Sequence, residues 1–269
     1  VRNLKLTMAY DGTRYVGWQI QPNGPSIQSA VETAIEKLTG LKTSVLVAGR
    51  TDSGVHAFGQ VASFLTESTI PANQVQTGLQ NFLPDDIVIR DVSEVPLDFH
   101  ATYWAKSKRY RYVIQNSAVL FPFLRHYAWS FRADLDAAAM HAAAQVLLGT
   151  HDFRCFESQF PNKATSVRTV LSATVQRVNP WPVWTQTAAL SDEIPANQEF
   201  ICFDIVADGF LYNMVRAIMG TLIKVGKGQW SSDDVRTILT EQDRSQAGET
   251  APAHGLYLMD VNYHNSRPE

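Results

Sequence analysis

The sequence predicts an α+β fold built from two similar halves, each running β-α-β-β-α-β in the ferredoxin-like order. Three observations carry that expectation. Segments that alternate apolar and polar residues, the period of a half-buried strand, are interleaved with segments whose apolar residues recur at helical spacing. The same order of elements comes round again beyond a junction near Trp104. At 269 residues the chain is long enough for two domains of ordinary size. The expected halves are 1–104 and 105–269.

In the first half, Leu4, Leu6, Met8 and Tyr10 alternate with polar residues and read as a strand. After the turn-rich Gln21-Pro22-Asn23-Gly24-Pro25, Ser26 is the expected N-cap of a helix. Ile27, Ala30, Val31, Ala34, Ile35 and Leu38 form its buried stripe, and Gly40 closes it. Val45 to Val47 and Val61 to Leu65 read as strands flanking a polar loop. A helix from near Pro71 carries Val75, Leu79 and Phe82 inward, and Ile87 to Val92 returns as a strand.

The second half opens with a strand over Arg109 to Ile114. Asp134 is the expected cap of a helix that bears Leu135, Met140, Leu147 and Leu148 and stops at Gly149. Val170 to Val178 and Phe200 to Val206 read as strands, Leu211 to Val225 as a helix, and Ser231 as the start of another. Leu256 to Tyr263 is the last strand. Glu157 to Val167 reads as a long polar loop. Asn179 to Gln198, with Trp181 and Trp184, reads as an insertion whose indoles cover apolar core, contact RNA or meet a second subunit, with the first favoured because large aromatics most often simply pack.

No apolar run approaches the length of a membrane span, and the first residues show no apolar signal core, so a cytoplasmic protein is expected. Cys155 and Cys202 form neither a CxxC pair nor a cluster at zinc spacing, which argues against a disulfide or a metal site. A net charge of −3 argues weakly against a nucleic-acid partner. The distribution matters more: Lys106, Lys108, Arg109 and Arg111 fall within a few residues of one another, while acids collect at Asp85-Asp86, Asp192-Glu193 and Asp233-Asp234. Such segregation permits a basic cleft on an acidic protein. Gly220 to Gly228 mimics a phosphate loop, but its spacing is one residue too long and no Ser or Thr follows Lys227.

The strongest catalytic candidate is the loop Ala48-Gly49-Arg50-Thr51-Asp52-Ser53-Gly54-Val55-His56-Ala57. It sets one carboxylate between two glycines that let the backbone take unusual φ or approach a ligand closely. On local chemistry alone, a charged hairpin with an Arg-Asp surface pair explains it equally well. The block resembles the signature of the tRNA pseudouridine synthase A family, with Asp52 where that family has its catalytic aspartate. Tyr10-Asp11-Gly12, Gly17-Trp18-Gln19, Asp98-Phe99-His100-Ala101, Arg109-Tyr110-Arg111-Tyr112, Asn213-Met214-Val215-Arg216 and Gly255-Leu256-Tyr257-Leu258 follow in the family's order.

The resemblance implies a pseudouridine synthase fold, two ferredoxin-like halves sharing an antiparallel sheet with the active site in the cleft between them. It implies an isomerase that turns uridine into pseudouridine in tRNA at positions 38, 39 and 40 of the anticodon stem-loop, as a homodimer and without a cofactor. Asp52 is then the carboxylate, attacking C1′ or C6 or removing a proton from the sugar; the sequence does not choose among these. Arg216 is the cation that keeps Asp52 ionised. Tyr110 stacks on the flipped uracil, Val215 and Leu256 floor the pocket, and Arg50 fills the space the base vacates or holds the adjacent phosphate. Lys106, Lys108, Arg109 and Arg111 are the candidate contacts to RNA phosphates. Two rival functions remain at this stage: a non-catalytic RNA-binding module on the same scaffold, and a carboxylate glycosidase, which needs a second acid near Asp52.

Overall fold

Leu4, Leu6, Met8 and Tyr10 all turn inward in the computed structural model, as their alternation demands. The structure describes residues 1–158, 165–178 and 199–263. In chain order the elements are β1 (Arg2–Tyr10), α1 (Ile27–Thr39), β2 (Leu46–Val47), β3 (His56–Thr66), α2 (Ala72–Gln80), β4 (Ile87–Val95), β5 (Ala105–Asn116), β6 (Trp129–Phe131), α3 (Ala137–Gln145), β7 (Gly149–Asp152), β8 (Val167–Val178), β9 (Phe200–Ala207), α4 (Met214–Gly226), α5 (Ser232–Glu241) and β10 (Leu256–Tyr263). Two compact units emerge: Val1–Arg109 joined by the C-terminal strand from Tyr257, and Tyr110–Leu256. The class is mixed α+β with mostly antiparallel strand pairs.

In the first unit the strand order is β4-β1-β3-β10, with the short β2 also on β3. β1 runs antiparallel to both neighbours, and the register sets Leu4 opposite Phe64 and Leu6 opposite Ala62, so their side chains share one buried face. Each large aliphatic residue buried there contributes about 1.5–3 kcal/mol at most. The Ser26 hydroxyl accepts from the Ser29 amide to cap α1, and Gly40 ends the helix at φ 76°. β10 lies parallel to β3, with Tyr257 opposite His56.

The second unit orders its strands β5-β9-β8-β7, with β6 parallel on β5. α3 packs on β8 and on α4. Its cap is Asp136, not Asp134: the Asp136 carboxylate accepts from the Ala139 amide at 2.9 Å, while Asp134 accepts from Leu135 and from Arg177. The later start leaves Leu135 one residue before the cap, where it meets Gly226 beside Met140, four positions into the helix. That is a hydrophobic staple, which fixes the angle at which the chain enters the helix.

Other expectations also need correction. α2 ends at Gln80, so Phe82 leaves the helical phase and is 41% exposed, while Leu83 takes the inward place. Leu148 falls beyond α3 and points outward for the same reason. α4 starts three residues later than its apolar pattern, because Asn213 is left-handed at φ 60°. β3 begins at His56, so the end of the polar loop is already strand. The short β6 and β7 carry too little alternation to be seen in the sequence. The expected insertion over 179–198 lies outside the described residues, as does much of the expected loop over 157–167.

Candidate functional site

In the first unit the loop that carries Asp52 is held from three sides. An isolated bridge pairs Asp52 with Gly17, and the Trp18 amide donates to the Thr51 carbonyl at 3.0 Å. Within the loop, the Val55 amide donates to the Asp52 carbonyl at 3.1 Å, closing a turn through Gly54 at φ 77°. Below it, the Thr51 hydroxyl meets the Tyr10 phenol at 2.7 Å, and Gln60 donates both to that phenol and to the Gly49 carbonyl. Burial pushes the Tyr10 phenol up to about 12, so it stays a neutral partner at working pH. The loop's backbone is thus fixed on both sides of a half-buried carboxylate.

The first loop of the chain is the clamp. Gly17 adopts φ 110°, and a Cβ there would come within 2.7 Å of the Thr51 carbonyl oxygen. Only glycine permits the approach that pairs this residue with Asp52. A Cβ on Gly12 would overlap the Val55 carbonyl. His56 is buried, accepts from the Gly12 amide at 3.1 Å, lies 3.2 Å from an Asp11 carboxylate oxygen and stacks on Tyr257 at 4.8 Å. Gly12, Gly17 and Trp18 thus hold the Asp52 loop in place, and Asp11 lies against the His56 ring that lines it. Gly49 does not use positive φ; a Cβ there would press on the aliphatic stem of Lys108 at 3.3 Å.

Tyr10, Thr51 and Gln60 were not picked out as functional from sequence. Gln60 had a readable signal, a polar residue at a core-facing strand position opposite Met8.

In the second unit Tyr110 is buried and meets Phe210 edge-on at 4.9 Å, while Tyr112 donates to the Pro252 carbonyl and packs on Gly255. Val215 is buried in the first turn of α4. Arg216, next along the helix, donates from Nε to the Ala251 carbonyl and from Nη1 to the Asn213 side chain, both at 2.7 Å. The Ala251 amide donates back to the Arg216 carbonyl, so α4 is tied to the segment that runs into the buried Leu256.

Each unit thus holds its own group of the expected residues: Arg50, Asp52, Lys106, Lys108 and Arg109 in the first, Tyr110, Arg111, Val215, Arg216 and Leu256 in the second. Arg50 and Lys106 are exposed. Arg111 makes an ion pair with Asp204 of β9 at 3.0 Å, so its charge is already compensated by a carboxylate. The basic run is therefore less uniform than its spacing suggests. Among the described residues no group of three His, Cys, Asp or Glu is arranged for a metal, and no helix is long and apolar enough to cross a membrane.

The sequence profile described as tRNA pseudouridine synthase matches residues 6–104 and 143–264, which include Asp52, Val215, Arg216 and Leu256 but not Tyr110. A protein of Acetivibrio thermocellus named tRNA pseudouridine synthase A is 45% identical over 98% of this chain and 100% of its own length. One of the same name from Moorella thermoacetica is 44% identical over 97% and 99%. One from Myxococcus xanthus is 41% identical over 98% and 93%. Among solved structures, an archaeal box H/ACA sRNP Nop10-Cbf5 complex aligns over 90% of this chain and 59% of that one, at 10% identity and a TM-score of 0.36.

Proposed function

The chain belongs to the tRNA pseudouridine synthase family and isomerises uridine to pseudouridine in tRNA, and on that premise we propose that Asp52 is the carboxylate that opens the glycosidic bond. The reaction breaks N1 to C1′, turns the uracil and joins C5 to C1′; C5 gives up its proton and N1 takes one up, so the product is an isomer of the substrate. Nothing is oxidised and no water is consumed, so one carboxylate and a pocket for an extruded base suffice.

The observation that carries the assignment is the pairing of Asp52 with Gly17, which fixes this one acid of the loop at both flanks. A bare RNA-binding module has no use for such a clamp. Arg216 supplies the positive charge that keeps Asp52 ionised, Tyr110 stacks on the base, and Val215 with Leu256 floors the pocket. Arg50 and the Lys106 to Arg109 run take phosphates, with Arg111 the weakest member because of Asp204. The substrate uridines are positions 38, 39 and 40 of the anticodon stem-loop, the working form is a homodimer, and the compartment is the cytoplasm. These finer points rest on the family resemblance.

The test is hydrogen release from C5 of uridine in a tRNA transcript, which reports chemistry and not binding alone. Asp52→Asn keeps the shape of the side chain and removes its charge, so turnover is expected to vanish while folding and tRNA affinity survive. Appreciable turnover by this variant, with deamidation excluded, would end the assignment. Tyr110→Phe keeps the stacking face and is expected to retain RNA affinity, so any fall in rate measures the hydroxyl.

A further inference from the structure

Asn213 stands at the N-cap of α4, where an Asn side chain ordinarily accepts from the amides of the first turn and stabilises the helix. Here it makes no capping bond. Its backbone sits in the left-handed region at φ 60°, ψ 7°, which strains a non-glycine residue, although Asn tolerates it better than most. The side chain instead accepts from Arg216 Nη1 at 2.7 Å through Oδ1 and donates through Nδ2 to the Ser158 hydroxyl at 2.8 Å. Arginine only donates, so the atom facing it is the amide oxygen. Ser158 is itself anchored, its amide donating to the Tyr212 carbonyl at 3.1 Å. A residue that forgoes its cap and accepts backbone strain to hold an arginine is serving that arginine.

We propose that Asn213, backed by Ser158, is a positioning residue that aims the Arg216 guanidinium, and that an amide holds this place because it orients the cation without neutralising it. The inference rests on the reading of Arg216 as the cation of Asp52. The two named acceptors, the Ala251 carbonyl at Nε and the Asn213 amide at Nη1, are both neutral. A carboxylate at 213 would fit the same space and tolerate the same backbone, yet it would form an ion pair and compete for the charge. The titratable groups on elements packed against α4 include the buried Cys155, whose thiol burial keeps protonated, and the buried Glu157, whose Oε1 accepts no hydrogen bond among the described residues. His141 accepts from the Val175 amide, Asp152 pairs with Arg154, Glu157 accepts from Ser166, Arg244 donates to the Gly248 carbonyl, and Glu249 is exposed.

The experiment compares the parent full-length protein with Asn213→Asp, Asn213→Gly, Ser158→Ala and Arg216→Met in single-turnover C5 hydrogen release from a tRNA transcript, from mildly acidic to mildly basic pH. Thermal unfolding and tRNA affinity are measured alongside. Asn213→Asp is expected to move the acidic limb of the profile up by about one pH unit, with activity recovering as pH rises, because the added negative charge favours protonated Asp52. Asn213→Gly keeps the left-handed backbone and is expected to lose rate on the order of tenfold or more at unchanged tRNA affinity. Ser158→Ala lowers the rate less and leaves the limb in place. A shift in Arg216→Met with none in Asn213→Asp overturns the inference and leaves the role of Arg216 standing. No shift in either removes both.

Discussion

At the scale of single residues, the Asp52 loop is stiff because buried polar groups beneath it are paired in a chain. Tyr10, Thr51 and Gln60 form that chain, and Gln60 extends it to the Gly49 carbonyl. Such groups stabilise only when satisfied, since an orphaned buried donor or acceptor costs about 1–3 kcal/mol. Tyr10→Phe keeps the ring and its packing 6.4 Å from Trp18 while removing the hydroxyl that joins Thr51 to Gln60. It is expected to lower stability by about 1–3 kcal/mol in urea unfolding and to slow C5 hydrogen release, because the backbone beside Asp52 loses a support. Unchanged stability and rate together would show that the chain is ornamental. Arg111 illustrates the opposite case at this scale, a basic residue whose partner, Asp204, is already within the fold.

At the scale of elements, the helix ends set by Ser26, Gly40 and Ser231 were legible in the sequence, while the starts of α3 and α4 were not. Ser26 and Ser231 cap α1 and α5 as their sequence positions suggest, and α5 carries a full capping box with Asp234. Bonds from the Ser231 backbone amide and hydroxyl hold the Asp234 carboxyl below the usual carboxylate range. A depressed folded value means the contribution is present above the ordinary carboxylate pKa and is lost as pH falls through the folded one. Ser231→Ala is expected to cost about 1 kcal/mol near neutrality by thermal or urea unfolding. The gap from the parent narrows in acid, and activity stays unchanged. By contrast the start of α4 is set by the left-handed Asn213, which no apolar periodicity announces. The cap of α3 was misplaced because two aspartates two residues apart both suit the role. Burial of Leu135 decides between them.

At the scale of the whole molecule, the chain carries a net charge of −3 yet acts on a polyanion. The association is expected to rest on a few local phosphate contacts. The logarithm of tRNA affinity should then fall linearly with the logarithm of salt, with a slope of about −0.9 for each phosphate contact. Lys106→Ala should reduce the slope by about one contact, while Arg111→Ala should change it less, because Asp204 already pairs with that arginine. Affinity insensitive to salt would contradict this picture. The proposed homodimer is checked by sedimentation at micromolar concentration, where a monomer with full activity would remove it.

The sequence by itself determined the class of the fold, the order of its long elements and the family to which the chain belongs. Strand and helix periods are local properties, and the loop from Ala48 to Ala57 is specific enough to identify its family from ten neighbouring residues. Tertiary structure decided what depends on residues far apart in the chain. Gly17 meets Asp52, Gln60 reaches Gly49 beneath Tyr10, Asp204 takes up Arg111, Ser158 supports Asn213, and β10 returns to lie beside β3. None of these pairings leaves a periodic trace. Each is fixed by which partner satisfies a buried polar group or fills a space once the chain has closed on itself, and that selection exists only in the folded state.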